Sequence, residues 1–419
     1  MNVAVKNILI EIKGLLLKEA ERHTPEGSDA EAVVDQWIHA LATNTDFYCD
    51  NSNYKPQSVK NLVCKILENA NYFESSDLFY NIAFENLSLK PQSKPNFTFI
   101  DLFAGIGGIR LGFQKYGGAC VFSSEFEKAA QNTYKENFGE HPFGDITTVP
   151  SENIPKHDIL LGGFPCQAFS VAGYREGFSD KKGRGNLFFK IHDIIKTKKP
   201  EAFLLENVKN LQGHDGGNTF KVIVEYLHES GYSVISNVLN SMDFGDVPQN
   251  RERIYIIGFK DEANWQNNKG ATRTSEFSWP EPIRLSKSVR DLLDKQVSEH
   301  YFYERFACYK QLKEQMTRKD TVYQWRRVYV RENKNNVCPT LTANMGTGGH
   351  NVPLILDDNG RIRKLTPKEC SRIQGFPEDF KLPHIANSHL YKQFGNSVTV
   401  PVIERLANEM LRVMNKIRK

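Results

Sequence analysis

The chain has 419 residues, of which 40% are hydrophobic and 25% charged, the make-up of a soluble globular protein of two or three domains and not of a disordered or fibrous one. A net charge of +4 provides no basic tail, so any nucleic-acid surface must come from local clustering. Seven cysteines, odd in number and without a Cys-x-x-Cys pair, speak against a disulfide framework or a cysteine-rich zinc site, fit a reducing cytoplasm, and lead to the expectation of no metal.

The first apolar run, Ile8 to Leu17, is broken by Glu11 and Lys13, so it reads as an amphipathic helix and not as a signal peptide or membrane span. Val33, Val34, Trp37, Ile38 and Leu41 share one helical stripe, and Val59, Leu62, Val63, Ile66 and Leu67 another. Residues 1–92 are therefore expected to be a helical N-terminal extension, closed by a polar linker with two prolines between Ser88 and Asn96.

From Phe97 strands and helices alternate. Strands are expected at Phe97–Phe103, Ala119–Ser124, His157–Leu161, Ala202–Leu205, Ser233–Leu239 and Arg253–Phe259. Helices are expected at Gly108–Tyr116, Lys128–Phe138, Leu187–Lys198 and Thr219–Ser230. This order predicts an α/β fold with a doubly wound, Rossmann-like, mostly parallel sheet. After Lys260 the alternation stops, and 262–390 is expected to form a smaller, irregular, β-rich domain. A last amphipathic helix, Val402–Met414, returns to the main domain, which is expected to span 97–261 and 391–419.

Chemistry-bearing residues fall where strands end. Asp101-Leu-Phe-Ala-Gly-Ile-Gly-Gly-Ile109 takes a strand through a glycine turn into a helix, a place where backbone can approach a ligand. Its spacing is not G-x-G-x-x-G, which weakens a pyrophosphate reading. Glu125 ends the next strand, where a carboxylate can accept from both ribose hydroxyls. Asp145 is placed to bind an exocyclic amine of adenine, and Phe103 to stack on its face. The plainer alternative is a tight turn with acids that cap helices.

Pro165-Cys166 follows an apolar strand and a glycine pair, and precedes a basic, glycine-rich loop from Ser170 to Gly185. That setting suits a nucleophile facing an anionic substrate, although most single cysteines are small buried hydrophobes. Glu206 ends a buried strand, where desolvation is expected to raise its pKa and let it carry a proton near neutrality. Arg251 and Arg253, two apart on a strand, share a face and can hold a carbonyl, carboxylate or phosphate, or else form a structural ion-pair network.

Phe-Ala-Gly-Ile-Gly-Gly, Gly-Phe-Pro-Cys-Gln, Glu-Asn-Val, Gln-x-Arg-x-Arg, Gln374-Gly-Phe-Pro377 and Gln393-Phe-Gly-Asn396-Ser397-Val398 occur in one order over about 97 to 412. In this the chain resembles the DNA (cytosine-5) methyltransferases of bacterial restriction–modification systems. The resemblance implies the S-adenosylmethionine-dependent methyltransferase fold, with a target-recognition domain at 262–390. It implies Cys166 as the thiolate that adds to carbon-6 of cytosine. Glu206 would then bind the exocyclic amine and protonate ring nitrogen 3, Arg253 would hold the base carbonyl, and Arg251 would support the site.

The cofactor implied is S-adenosyl-L-methionine, in a pocket of Phe103, Ala104, Gly105, Gly107, Glu125, Phe126, Asp145, Ile146, Pro165, Leu187, Asn396 and Val398. The partner implied is double-stranded DNA, from which the target cytosine must be flipped out to reach Cys166. Ser170, Arg175, Lys181 and Arg184 are expected to contact DNA beside the extruded nucleotide, in a loop expected to close over it, with Gln249, Arg326, Arg327, Arg331, Thr340 and Leu341 as further contacts. The variable segment resembles those that read short GG…CC palindromes. A cognate restriction endonuclease is a genetic partner, and a monomer in the cytoplasm, associated with the nucleoid, is expected. A tRNA cytosine-5 methyltransferase and a non-catalytic DNA-binding regulator are the alternatives. The roughly hundred-residue insert favours a DNA reader over the first, and the intact Cys166 and Glu206 oppose the second.

Overall fold

The apolar stripes near the start of the chain form four helices. The structure, a computed structural model, describes residues 3–72, 76–165, 187–261, 273–326, 328–333, 336–346 and 353–417. α1 (Val3–Ala20) turns Ile12, Leu16 and Ala20 inward at four-residue spacing. α2 (Ala30–Thr43) begins at Asp29, whose side chain accepts the Glu31 N–H, and ends at Asn44 in the left-handed region. Every residue of α2 from Ala32 to Thr43 is buried. α1 and α4 (Ser76–Phe84) pack on it, and α3 (Pro56–Asn69) packs on α1. α2 also meets the sheet, where the Gln36 amide donates to the carbonyls of Asp46 (2.9 Å) and Val121 (3.1 Å) and its oxygen accepts the Tyr48 N–H (2.8 Å).

The sheet comprises β1 (Phe97–Leu102), β2 (Gly118–Ser124), β3 (Ile159–Gly163), β4 (Ala202–Val208), β5 (Tyr232–Asn240) and, after a two-residue β6 (Gln249–Asn250), β7 (Glu252–Lys260). Its order is β2-β1-β3-β4-β7-β5. β2, β1, β3 and β4 run parallel, whereas β7 runs antiparallel to β4. α5 (Gly108–Gln114), α6 (Lys128–Phe138), α7 (Leu187–Lys198) and α8 (Asn218–Glu229) follow β1 to β4 in turn. The first four strands are buried along nearly their whole length, which is why they read as continuous apolar runs without alternation.

A buried polar network ties helices to the sheet. Arg110, 1% exposed, donates to Glu140 (2.7 Å), the Tyr134 hydroxyl (2.9 Å) and Gln114 (3.0 Å). Glu140 also pairs with His39 of α2 (2.8 Å) and accepts from the Ser123 hydroxyl (2.8 Å). Burial alone would raise the Glu140 pKa, but Arg110 and His39 outweigh it and hold the carboxyl at about 2.

The chain divides into two compact units. The first takes in 1–238, 253–279 and 407–419 and so joins the N-terminal helices to the sheet. The second takes in 239–252 and 280–406. Its sheet has the order β12-β11-β8-β9, made of β8 (Val322–Trp325), β9 (Val330–Asn333), β11 (Pro353–Leu356) and β12 (Ile362–Lys364), with each neighbouring pair antiparallel. A short β10 (Cys338–Pro339) pairs with β6. A capping box at Thr366 and Glu369 opens the helix Pro367–Ile373, and Arg363 forms a buried pair with Glu369 (2.7 Å).

Candidate active site

Because β1 to β4 are parallel, their carboxyl ends share one edge of the sheet. The chain steps from β1 to β2 and returns to β3 on the other side of β1, which opens the crevice where ligands bind in such sheets. Each strand brings a predicted residue to that edge. Phe103 follows β1, Glu125 follows β2, Pro165 lies two residues beyond β3, and Glu206 is near the end of β4.

The β1 end is sharply turned. Phe103 has φ +54°, an uncommon conformation for a residue with a side chain. Gly107, at φ +83°, tolerates no substitute, because a Cβ there would lie 2.2 Å from the Phe138 ring. The Gly105 N–H donates to Glu125 Oε2 (2.8 Å), and the Glu127 N–H to Oε1 (2.7 Å). Burial raises the Glu125 pKa, while these two N–H groups pull it back. Beside it Phe126 is 77% exposed, an aromatic face in water next to a held carboxylate. Asp145 lies beyond a segment that runs along β2, where Phe143 pairs with Ser124 and accepts the Glu125 N–H (2.9 Å). Its Oδ1 accepts from the Thr147 N–H (2.9 Å) and hydroxyl (2.8 Å). Ala104 and Ile146 are buried, and Leu187, the first residue of α7, is half-buried.

At the centre of the sheet Glu206 is the register partner of Gly163. It is buried, and its Oε2 lies 3.6 Å from where a Cβ on Gly163 would stand. Arg253, opposite Val208 on β7, reaches Glu206 Oε1 with its Nε at 3.1 Å. Asn207, which carries no role by its place in the Glu-Asn-Val motif alone, is buried and donates from Nδ2 to the carbonyl of Phe164 (2.9 Å). It thereby fixes the backbone just ahead of Pro165, which is exposed. Cys166 and the loop residues Ser170, Arg175, Lys181 and Arg184 lie outside the described residues, as does Arg327.

The remaining predicted residues belong to the second unit. Arg251, 1% exposed, donates to the carbonyls of Leu341 (3.0 Å), Gly395 (3.2 Å) and Ser397. It clamps three backbone carbonyls on two segments, a positioning task. Gln249 and Leu341, expected at the DNA, are instead wholly buried. The Gln249 amide donates to Ile373 (3.2 Å) and Gln374 (3.1 Å) and accepts the Leu341 N–H (3.0 Å), so its hydrogen-bonding capacity is taken up inside the unit. The Thr340 hydroxyl donates to Asn250 (2.6 Å). Arg331 is exposed, and Arg326 is half-buried at the turn of the β8–β9 hairpin. Asn396 is exposed and Val398 buried.

Comparison with known proteins points to one family. Residues 97–412 match the family described as C-5 cytosine-specific DNA methylase. The Type II methyltransferase M.Bsp6I of Bacillus sp. (strain RFL6) is 52% identical over 319 residues, covering 75% of this chain and 98% of the relative. The Type II methyltransferase M.HhaI of Haemophilus parahaemolyticus is 42% identical over 337 residues, covering 77% and 96%. Among solved structures, the S. pombe Dnmt2 methyltransferase superposes with a TM-score of 0.58 at 19% identity over 76% of this chain and 100% of its own, a likeness of fold.

Proposed function

The chain belongs to the C-5 cytosine-specific DNA methylase family and is a DNA (cytosine-5) methyltransferase, and from that premise we propose how its residues carry the reaction. The observation that carries the reading is the placement of Glu206, braced by Arg253, on the strand beside the one that leads into Pro165-Cys166.

S-Adenosylmethionine fits the other end of the edge. Glu125, held by the N–H groups of Gly105 and Glu127, presents a fixed carboxylate for ribose hydroxyls, and the exposed Phe126 ring and Asp145 suit an adenine. Phe103, Ala104, Gly105, Gly107, Ile146, Pro165 and Leu187 complete this part of the pocket, with Asn396 and Val398 assigned to it from their motif. Bound there, the cofactor supplies an electrophilic methyl group for carbon-5 of cytosine.

The chain's own residues make carbon-5 nucleophilic. The Cys166 thiolate adds to carbon-6 of an extruded cytosine, and the electron pair moves through the ring toward nitrogen 3, which takes a proton from Glu206. Arg253 holds Glu206 in place and takes the base carbonyl. Once carbon-5 is methylated, loss of its proton to water, expulsion of the thiolate and return of the nitrogen-3 proton to Glu206 restore the aromatic ring. Arg251 keeps the Leu341 and Gly395–Ser397 segments in register. Arg326 and Arg331 would contact the DNA from the target-recognition segment, for which a GG…CC palindrome is proposed. The likeness to Type II methyltransferases supports a place in a restriction–modification system, where methylation protects DNA from a cognate endonuclease.

Transfer of labelled methyl from S-adenosylmethionine to unmethylated duplex DNA, run beside tRNA, tests this reading. Label in duplex DNA supports it, and label in tRNA alone would replace it with the RNA reaction.

A further inference from the structure

The first ninety residues precede the matched family region, and the proposed mechanism uses none of them. Their contacts nevertheless converge on one short segment. Between Glu140 and Thr148 the chain runs along the edge of β2 and delivers Asp145. The Gly144 N–H donates to the Ser28 hydroxyl (3.0 Å). A Cβ on Gly144 would stand 2.3 Å from the Gly27 carbonyl oxygen, so the two backbones touch and no side chain fits between them. The Thr148 hydroxyl donates to the Glu26 carbonyl (2.7 Å), on the far side of Asp145. Upstream, the His141 N–H donates to Asp35 (2.9 Å), and Glu140 pairs with His39 (2.8 Å). The Phe143 ring lies 4.5 Å from that of Tyr48.

Six N-terminal residues, Glu26, Gly27, Ser28, Asp35, His39 and Tyr48, thus grip the segment on both sides of Asp145. The same segment holds Glu125, through the Glu125 N–H to the Phe143 carbonyl. We propose that Glu26–Ser28, with Asp35 and His39, forms a positioning element for the cofactor site, setting Asp145 and Glu125 for S-adenosylmethionine. The proposal rests on the assignment of those two acids above. It makes the N-terminal helices part of the cofactor-binding half, not a DNA clamp or a partner surface. Ser28 touches no reacting atom and acts through Gly144.

The test uses the full-length protein and its Ser28→Ala, Ser28→Thr and Asn61→Ala variants. S-Adenosylmethionine affinity is measured by calorimetry, and the methylation rate of unmethylated genomic DNA at saturating cofactor. Loss of one neutral hydrogen bond predicts a cofactor Kd raised about threefold to tenfold in Ser28→Ala. The saturated rate stays unchanged, Ser28→Thr recovers the affinity because it keeps the hydroxyl, and Asn61→Ala, on the exposed face of α3, has no effect. An unchanged Kd in Ser28→Ala overturns the proposal. So does a fall in saturated rate that Thr does not rescue, which marks a merely structural role. If the unmodified protein binds no S-adenosylmethionine, the cofactor assignment itself fails and this inference falls with it.

Discussion

Arg253 Nε lies 3.1 Å from Glu206 Oε1, across the antiparallel pairing of β7 with β4. The pair stands at the carboxyl edge of the sheet, one strand from the β3 end that leads to Cys166. Arg253 fixes the position of the buried Glu206 carboxyl from the one neighbour of β4 that runs the other way.

Glu206→Gln keeps the shape of the side chain but removes the proton it would give to the ring. The methylation rate is expected to fall by roughly a hundredfold to ten-thousandfold, the range of a lost general acid, with duplex binding retained. A rate within threefold of the unmodified enzyme would remove Glu206 from the mechanism.

Glu140→Ala strands Arg110 in the interior without its carboxylate. Leaving one partner of a buried pair costs about 3–5 kcal/mol, so the melting temperature should drop sharply. Glu140→Gln, which keeps an acceptor, should lose less. Equal melting for the two would show that the ion pair contributes nothing beyond packing.

Arg251→Ala releases Leu341, Gly395 and Ser397 together, a loss on the order of 3 kcal/mol for several bonds from a buried charge. Arg251→Lys should not rescue it, because an ammonium lacks the planar fork that reaches separate carbonyls. Denaturant unfolding of the two variants checks this, and full rescue by Lys would contradict it.

His157 is buried, with Nδ1 against the Pro155 carbonyl (2.9 Å), and burial lowers its pKa to about 4. The folded state therefore binds fewer protons than the unfolded chain between pH 6.5 and 4. Stability from this group is complete above pH 6.5 and is lost as pH falls through that window. Asp101 tilts the other way, since burial, opposed by Arg110, raises its pKa to about 8. The useful measurement is accordingly the difference between the unmodified protein and His157→Gln. That difference should shift by about 2–3 kcal/mol in favour of the variant between pH 7 and pH 4. A constant difference would mean that His157 is not held neutral.

How much of this was legible in the chain depends on the range of the interactions. β1 to β4 were readable because both faces are covered, which writes itself as unbroken apolar runs such as Phe203 to Leu205. The strand-end positions of Glu125 and Glu206 were readable because each follows such a run directly. The direction of β7 was not, since an apolar strand looks the same in either sense. Gln249 and Leu341 misled because a buried glutamine that bonds to backbone looks, in sequence, like one that reads a base. The grip of Ser28 on Gly144 joins residues 116 positions apart, and no periodicity records such a pairing.

The central claim is that the Cys166 thiolate, with Glu206, activates cytosine for methylation. Bisulfite sequencing of DNA from cells expressing the unmodified chain and its Cys166→Ser variant tests it most directly. The account predicts protected cytosines at one short recurring site with the unmodified chain and none with the variant, at equal protein levels. Protection that survives in Cys166→Ser would contradict it.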